Sequence, residues 1–143
     1  MAIPDFRDDG RLPEGLHFAT AAEVTFRFGG STARRRRLAL QLRRWIELAR
    51  AVAAKRFLVD GSFVTAVPDP ADVDAVVWLA DDFLDRISRG DVAAVEMEMI
   101  LLTRQPREIY GAGSQRDWDD WVQFFSRTRE ADGRRKGLVE IEL

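Results

Sequence analysis

The sequence predicts an α+β fold, a small mixed β-sheet with flanking helices, formed by one domain over residues 1–143. Three observations predict it. The hydrophobic period switches repeatedly between helical and strand spacing, so helices and strands alternate along the chain. A hydrophobic content of 46% over 143 residues is enough for one core. There is no internal repeat, low-complexity tract or linker that would divide the chain.

Residues 1–19, with Pro4, Gly10, Pro13 and Gly15, read as an extended N-terminal arm pinned by Ile3, Phe6, Leu12 and Leu16. Thr20 followed by Glu23 forms a capping box, and the short helix it starts is expected to end in a left-handed exit at Gly29-Gly30. From about Thr32 to Ala54, Leu38, Leu42, Trp45, Ile46, Ala49, Val52 and Ala53 repeat at helical spacing, with arginines on the other faces. Arg56 to Phe63 changes period and reads as a short buried strand ending in a turn at Asp60-Gly61-Ser62. Pro68 and Pro70 force a loop, after which Val73 to Leu79 forms an apolar strand. Asp81 to about Arg104 is expected to be helical, with a break at Gly90 and with Val92, Val95, Met99 and Leu102 on one face. Arg107 to Gly111 reads as a third strand. Ser114 and Asp117 cap a helix bearing Trp118, Trp121, Val122 and Phe125, aromatics at core spacing. Leu138, Val139, Ile141 and Leu143 make a terminal strand, with Glu140 and Glu142 on the opposite face.

Composition removes whole classes of chemistry. There is no cysteine and one histidine, His17, so disulfides, thiolate metal sites, cysteine nucleophiles and two-imidazole zinc sites are excluded. Carboxylate chemistry with magnesium stays open. No apolar run approaches the ~20 residues of a membrane span. The N-terminus lacks a signal-peptide core, so a cytoplasmic protein without membrane contact is expected.

The net charge of −2 hides segregation: Arg27 to Arg56 holds ten basic residues against Glu47, and Asp60 to Glu98 holds ten acids against two arginines. Arg34, Arg35, Arg36 and Arg37 crowd positive charge at a helix start, where it opposes the helix dipole. They read as contacts for a triphosphate, a nucleic-acid acceptor or an acidic partner protein, or as a solvated face. Arg127, Arg129, Arg134, Arg135 and Lys136 extend the basic patch.

The chemistry concentrates in Leu58-Val59-Asp60-Gly61-Ser62-Phe63-Val64-Thr65 and, after the proline loop, Asp72-Val73-Asp74. In a strand, residues two apart share a face, so Asp72 and Asp74 can present both carboxylates to one point, about 6 to 7 Å apart along the backbone. Such a pair suits a magnesium-bound triphosphate; the competing reading is backbone hydrogen bonding at a loop-to-strand transition. Gly61 lets backbone approach a phosphate, and Ser62 adds a hydroxyl and an amide donor. Asp60 is a further acid beside the turn.

A Gly-Ser turn after a strand, followed about ten residues later by Asp-x-Asp, resembles the nucleotidyltransferase fold of the polymerase-beta type. Leu12-Pro13-Glu14-Gly15-Leu16-His17, the Asp60 to Thr65 run and Lys136-Gly137-Leu138-Val139 together look like short prokaryotic nucleotidyltransferase-like proteins, over nearly the whole chain. The resemblance implies that Gly61 and Ser62, with Thr65 at the end of the same run, bind the nucleoside triphosphate. It also implies that Asp72 and Asp74 bind Mg2+ and align nucleotidyl transfer. The family takes a third carboxylate from a later strand as general base or metal ligand; Glu108 is the choice here, and Glu96, Glu98, Glu140 and Glu142 compete with it. The resemblance further suggests a toxin–antitoxin or defence module whose acceptor is a partner protein or tRNA. The alternative is a catalytically inactive nucleotidyltransferase-like domain that binds a partner or nucleic acid through its arginine-rich helix.

Overall fold

The computed structural model describes residues 3–103 and 109–143. The elements in chain order are β1 (Gly15–Ala19), α1 (Ala21–Phe28), α2 (Ala33–Ala51), β2 (Arg56–Asp60), β3 (Asp74–Trp78), α3 (Phe83–Ser88), α4 (Val92–Thr103), β4 (Ile109–Ala112), α5 (Gln115–Ser126) and β5 (Gly137–Ile141). The protein is mixed α+β. Its five strands form one mixed sheet in the order β1-β5-β2-β3-β4, with β1 parallel to β5, β2 antiparallel to both neighbours, and β3 parallel to β4.

Alternation along the strands divides the core into two layers. Phe57, Val59, Ala75, Val77, Val139 and Ile141 face α1 to α4 and meet Leu42, Trp45, Ile46 and Ala49 of the long helix. Leu58, Val76, Ala112 and Leu138 face the other way, against Trp118 and Phe125 of α5. The capping signals work as the sequence indicates. Thr20 and Glu23 form the reciprocal box on α1 at 3.1 and 3.0 Å, and Thr32 and Ser114 cap α2 and α5. Gly90, at φ +77°, separates α3 from α4.

Several expectations are corrected. Residues 15–19 of the presumed arm are strand β1, paired in parallel with β5 from Gly15–Gly137 to Ala19–Ile141. Their approach depends on Gly137, where a Cβ would lie 2.0 Å from the Pro13 carbonyl oxygen. The exit of α1 is not left-handed: Gly29 has φ −98° and ψ −1°. A glycine is needed there for packing, since its Cβ would come within 2.8 Å of the Ala39 Cβ. Strand β2 stops at Asp60, and Phe63 and Val64 bury themselves in a single 3₁₀ turn, Ser62–Val64.

Glu140 is not solvated, because α5 covers the second face of the sheet; it is buried and held by Arg56 in a two-pronged pair at 2.7 and 2.6 Å, with the guanidinium 4.5 Å from the Trp118 ring centroid. On α4 the predicted stripe of Val92, Val95, Met99 and Leu102 is the outer face. The helix packs inward through Ala94 and Met97 instead. Among the described residues, no helix is long and apolar enough to cross a membrane.

Candidate functional site

The site is assembled where β2 ends and β3 begins, on the face of the sheet shared with α5. The two strands pair in antiparallel register from Arg56–Trp78 to Asp60–Asp74, so Asp60 and Asp74 are cross-strand neighbours at the sheet's end. Gly61 then turns the chain at φ +91°. A Cβ there would lie 3.0 Å from the Asp72 carbonyl oxygen, from Asp72 Oδ1 and from the Asp74 nitrogen. Only glycine lets the turn close this tightly on both aspartates.

Ser62 locks the junction. Its backbone N–H and its hydroxyl both donate to Asp72 Oδ1 at 2.9 Å, while its oxygen accepts from the amides of Ala71 at 2.9 Å and Asp72 at 3.2 Å. The Phe63 amide donates to the Asp72 carbonyl at 3.0 Å. Thr65 turns its hydroxyl inward, donating to the Ser62 carbonyl at 2.6 Å.

The structure thus brings Gly61, Ser62, Thr65, Asp72 and Asp74 together in the wall of one cleft of about 820 Å³. Its remaining rim is partly basic: Arg11, Arg127, Arg129 and Lys136 line it as well. Phe124, an exposed aromatic of α5, stands at the same rim. Sequence reasoning placed Arg127, Arg129 and Lys136 in a basic patch but missed Arg11 and Phe124. The available signal for Phe124 was a large aromatic ring next to, rather than within, the core-spaced set of α5.

The four arginines that open α2, Arg34 to Arg37, do not line this cleft. Arg34 donates through Nε to the Pro70 carbonyl at 2.9 Å and through Nη2 to the Ala71 carbonyl. Arg35 is buried and donates to the carbonyls of Phe28, Phe63, Thr65 and Val67, at 3.1, 2.6, 2.7 and 2.6 Å. These two side chains clamp the loop that joins the Gly-Ser turn to the aspartates. Arg36 reaches the Gly30 carbonyl at 3.2 Å, and Arg37 is exposed.

Glu108 lies outside the described residues. Of its competitors, Glu96 pairs with Arg44 at 2.6 Å on the surface, Glu140 is taken by Arg56, Glu98 is half-buried on α4 and Glu142 is exposed. His17 donates through Nε2 to the Pro13 carbonyl at 2.7 Å and serves the β1 edge.

Asp60 is the unusual acid of the cleft. It is 2% exposed, its Oδ2 lies 2.9 Å from Lys136 Nζ, and its Oδ1 has no hydrogen-bond partner among the described residues. Burial pushes its carboxyl up to about 6, against the opposing pull of the Lys136 ammonium and with the added repulsion of Asp72. Because this folded-state value lies above the ordinary 3.8, Asp60 favours folding below about pH 4, and that contribution is lost as pH rises through about 6. Asp60→Asn removes the titration. The thermal midpoint of the variant is therefore expected to gain on the unsubstituted protein between pH 4 and about pH 7; a difference that does not change with pH counts against this account.

Among the described residues, no group of three or more His, Asp or Glu side chains converges closely enough to hold a metal ion. Five aspartates line the cleft, Asp8, Asp9, Asp60, Asp72 and Asp74; Asp9 pairs with Arg7 and Asp60 with Lys136, and Asp72 and Asp74 at the turn are the pair to consider for a metal. That suits magnesium, which is commonly held by one or two carboxylates together with substrate phosphates and water.

A protein family described as a family of unknown function, DUF6932, matches residues 4–142. No curated protein and no solved structure gives a match.

Proposed function

We propose that this chain, which belongs to the DUF6932 family of unknown function, is a magnesium-dependent nucleotidyltransferase that moves a nucleoside monophosphate from a nucleoside triphosphate to an acceptor hydroxyl. The observation that supports the reading is that the Gly61-Ser62 turn, Asp72 and Asp74 line one cleft together with Arg11, Arg127, Arg129 and Lys136. Carboxylates in a cleft wall favour a cation, whereas the arginines and the lysine lining the same cleft favour phosphate. Neither half by itself specifies a nucleotide; side by side they match the charge pattern of a metal-bound triphosphate.

In this reading Asp72 and Asp74 hold Mg2+, which when bound offsets negative charge on the triphosphate and on the departing pyrophosphate. Ser62 fixes the Asp72 carboxylate through two donors, and Gly61 brings both aspartates against the turn. Arg11, Arg127, Arg129 and Lys136 attract the phosphate chain, and Phe124 offers a ring face to a base. The acceptor oxygen attacks the α-phosphorus, the bond to the β-phosphate breaks and pyrophosphate leaves. Glu108 is assigned to take the acceptor's proton. It directly precedes Ile109, whose partner in the parallel β3–β4 pair is Ala75, the residue after Asp74. The acceptor is a hydroxyl on a protein or on RNA such as tRNA, within a toxin–antitoxin or defence module.

The reading predicts that calorimetry detects binding of at least one magnesium–nucleoside triphosphate and that chelation of the metal eliminates it. Incubation with α-labelled nucleoside triphosphates and a cell extract should then transfer label to a macromolecule. Failure of all four triphosphates to bind in the presence of magnesium overturns it. The inactive-domain alternative, which relied on the basic helix, loses weight because Arg34 and Arg35 are committed to backbone carbonyls of the site loop.

A further inference from the structure

Helix α4 carries two apolar faces, and only one has a partner. Ala94 and Met97 are fully buried against the core. On the other side, Val92, Val95, Met99 and Leu102 are 79, 39, 56 and 73% exposed. Their spacing of three, four and three residues is the heptad seam by which one helix packs along another. Over Val92–Thr103 the helix contains just two charged residues, Glu96 and Glu98. A helix apolar around nearly its whole circumference is a buried helix by composition, and an exposed apolar stripe rimmed by charge marks an interaction surface.

The charge of the surroundings selects the occupant. The segment Asp81 to Thr103 holds six acids against Arg86 and Arg89. Glu96 and Glu98 flank the seam from either side, at the positions that decide partner choice in paired helices. Glu96 is engaged by Arg44, while Glu98 is half-buried beside the stripe. A second copy laid seam on seam would face acids with acids, which is destabilising. The chain's own basic helix, α2, exposes one large apolar residue, Leu40, and so offers no matching stripe.

We infer that the outer face of α4 docks an amphipathic α-helix of a partner protein, whose apolar heptad stripe is flanked by lysine or arginine. The contact runs from Val92 to Leu102, three turns or about 15 Å, so the partner needs at least that length of helix. This surface is separate from the cleft, and the inference stands whatever reaction the cleft performs.

The test uses the full chain and two synthetic helical peptides with leucine at the seam positions, one flanked by lysines and one by glutamates. Fluorescence anisotropy is expected to show saturable binding of the lysine peptide alone. Met99→Asp should weaken it by at least about tenfold, as truncation of a central contact does. Glu98→Lys should shift preference toward the glutamate peptide. Met99 is exposed and Glu98 only half-buried, so circular dichroism and the melting curve should stay close to those of the unsubstituted protein; should Met99→Asp fail to fold, Leu102→Glu serves in its place. Equal binding of the two peptides, or binding of neither, overturns the inference. So does self-association of the chain that Met99→Asp abolishes, because the occupant would then be a second copy.

Discussion

Asp74→Asn is expected to abolish magnesium-dependent nucleotide binding while leaving the thermal midpoint nearly unchanged. The substitution keeps the size and shape of the side chain and removes its charge. Asp74 sits at the first position of β3, opposite Asp60, with its carboxyl in the wall of the cleft. Losing a residue that merely supports a metal ligand typically costs ten- to a hundredfold in affinity, so losing a ligand should cost at least about a hundredfold. Asp72→Ala should behave differently. Asp72 Oδ1 accepts from both the amide and the hydroxyl of Ser62, so truncation also strips the turn of its anchor. A stability loss of about 1–3 kcal/mol should accompany the loss of binding. Calorimetry with magnesium and nucleotide, paired with urea denaturation of both variants, separates the two roles. Undiminished magnesium-dependent binding by Asp74→Asn would remove the carboxylates from the site and the nucleotidyl-transfer reading with them.

The proximity of these residues was legible in the sequence because they are local. Gly61, Ser62, Asp72 and Asp74 lie within fourteen residues, across one hairpin connection, although β3 begins only at Asp74, so the turn at Gly61 and Ser62, rather than a strand period of two, holds Asp72 in place. The caps at Thr20 and Ser114 are local for the same reason. What failed to show was set by contacts distant in sequence. Strand β1 looks like an arm because its partner, β5, lies more than a hundred residues away and because Leu16 and Phe18 stay exposed at the sheet edge. Helical periodicity identifies the stripe of α4 as one face without saying which of two apolar faces meets the core. Alternation puts Glu140 opposite the apolar residues of β5 but does not reveal that α5 dries that face and that Arg56 neutralises the acid left inside.

Arg35 carries the largest expected effect on stability. A run of four arginines at a helix start suggests a solvated or ligand-binding cluster, and three of the four side chains are at least partly exposed. Arg35 instead points into the protein, where one planar guanidinium satisfies four backbone carbonyls, from the end of α1 to the loop after the 3₁₀ turn, and lies over the Phe63 ring at 5.8 Å. Arg35→Ala removes every donor at once and leaves the buried Phe28 and Phe63 carbonyls without that partner, each a sizeable penalty away from water, while the part-buried Thr65 and Val67 carbonyls lose theirs nearer solvent. A loss of about 3–5 kcal/mol is expected, at the level of breaking a buried charged network. Arg35→Lys should recover only part of it, since a compact ammonium cannot reproduce the fork that spans Phe28, Phe63, Thr65 and Val67. Arg37→Ala, on the exposed side of the same helix, should change stability by less than about 0.5 kcal/mol. Urea denaturation midpoints at constant slope measure all three. Because the clamped loop leads directly to Asp72, Arg35→Lys should also weaken magnesium-dependent nucleotide binding without touching the ligand. Should Arg35→Ala prove no more destabilising than Arg37→Ala, the clamp does not hold the loop, and the geometry of the cleft must be maintained by the Ser62–Asp72 bonds alone.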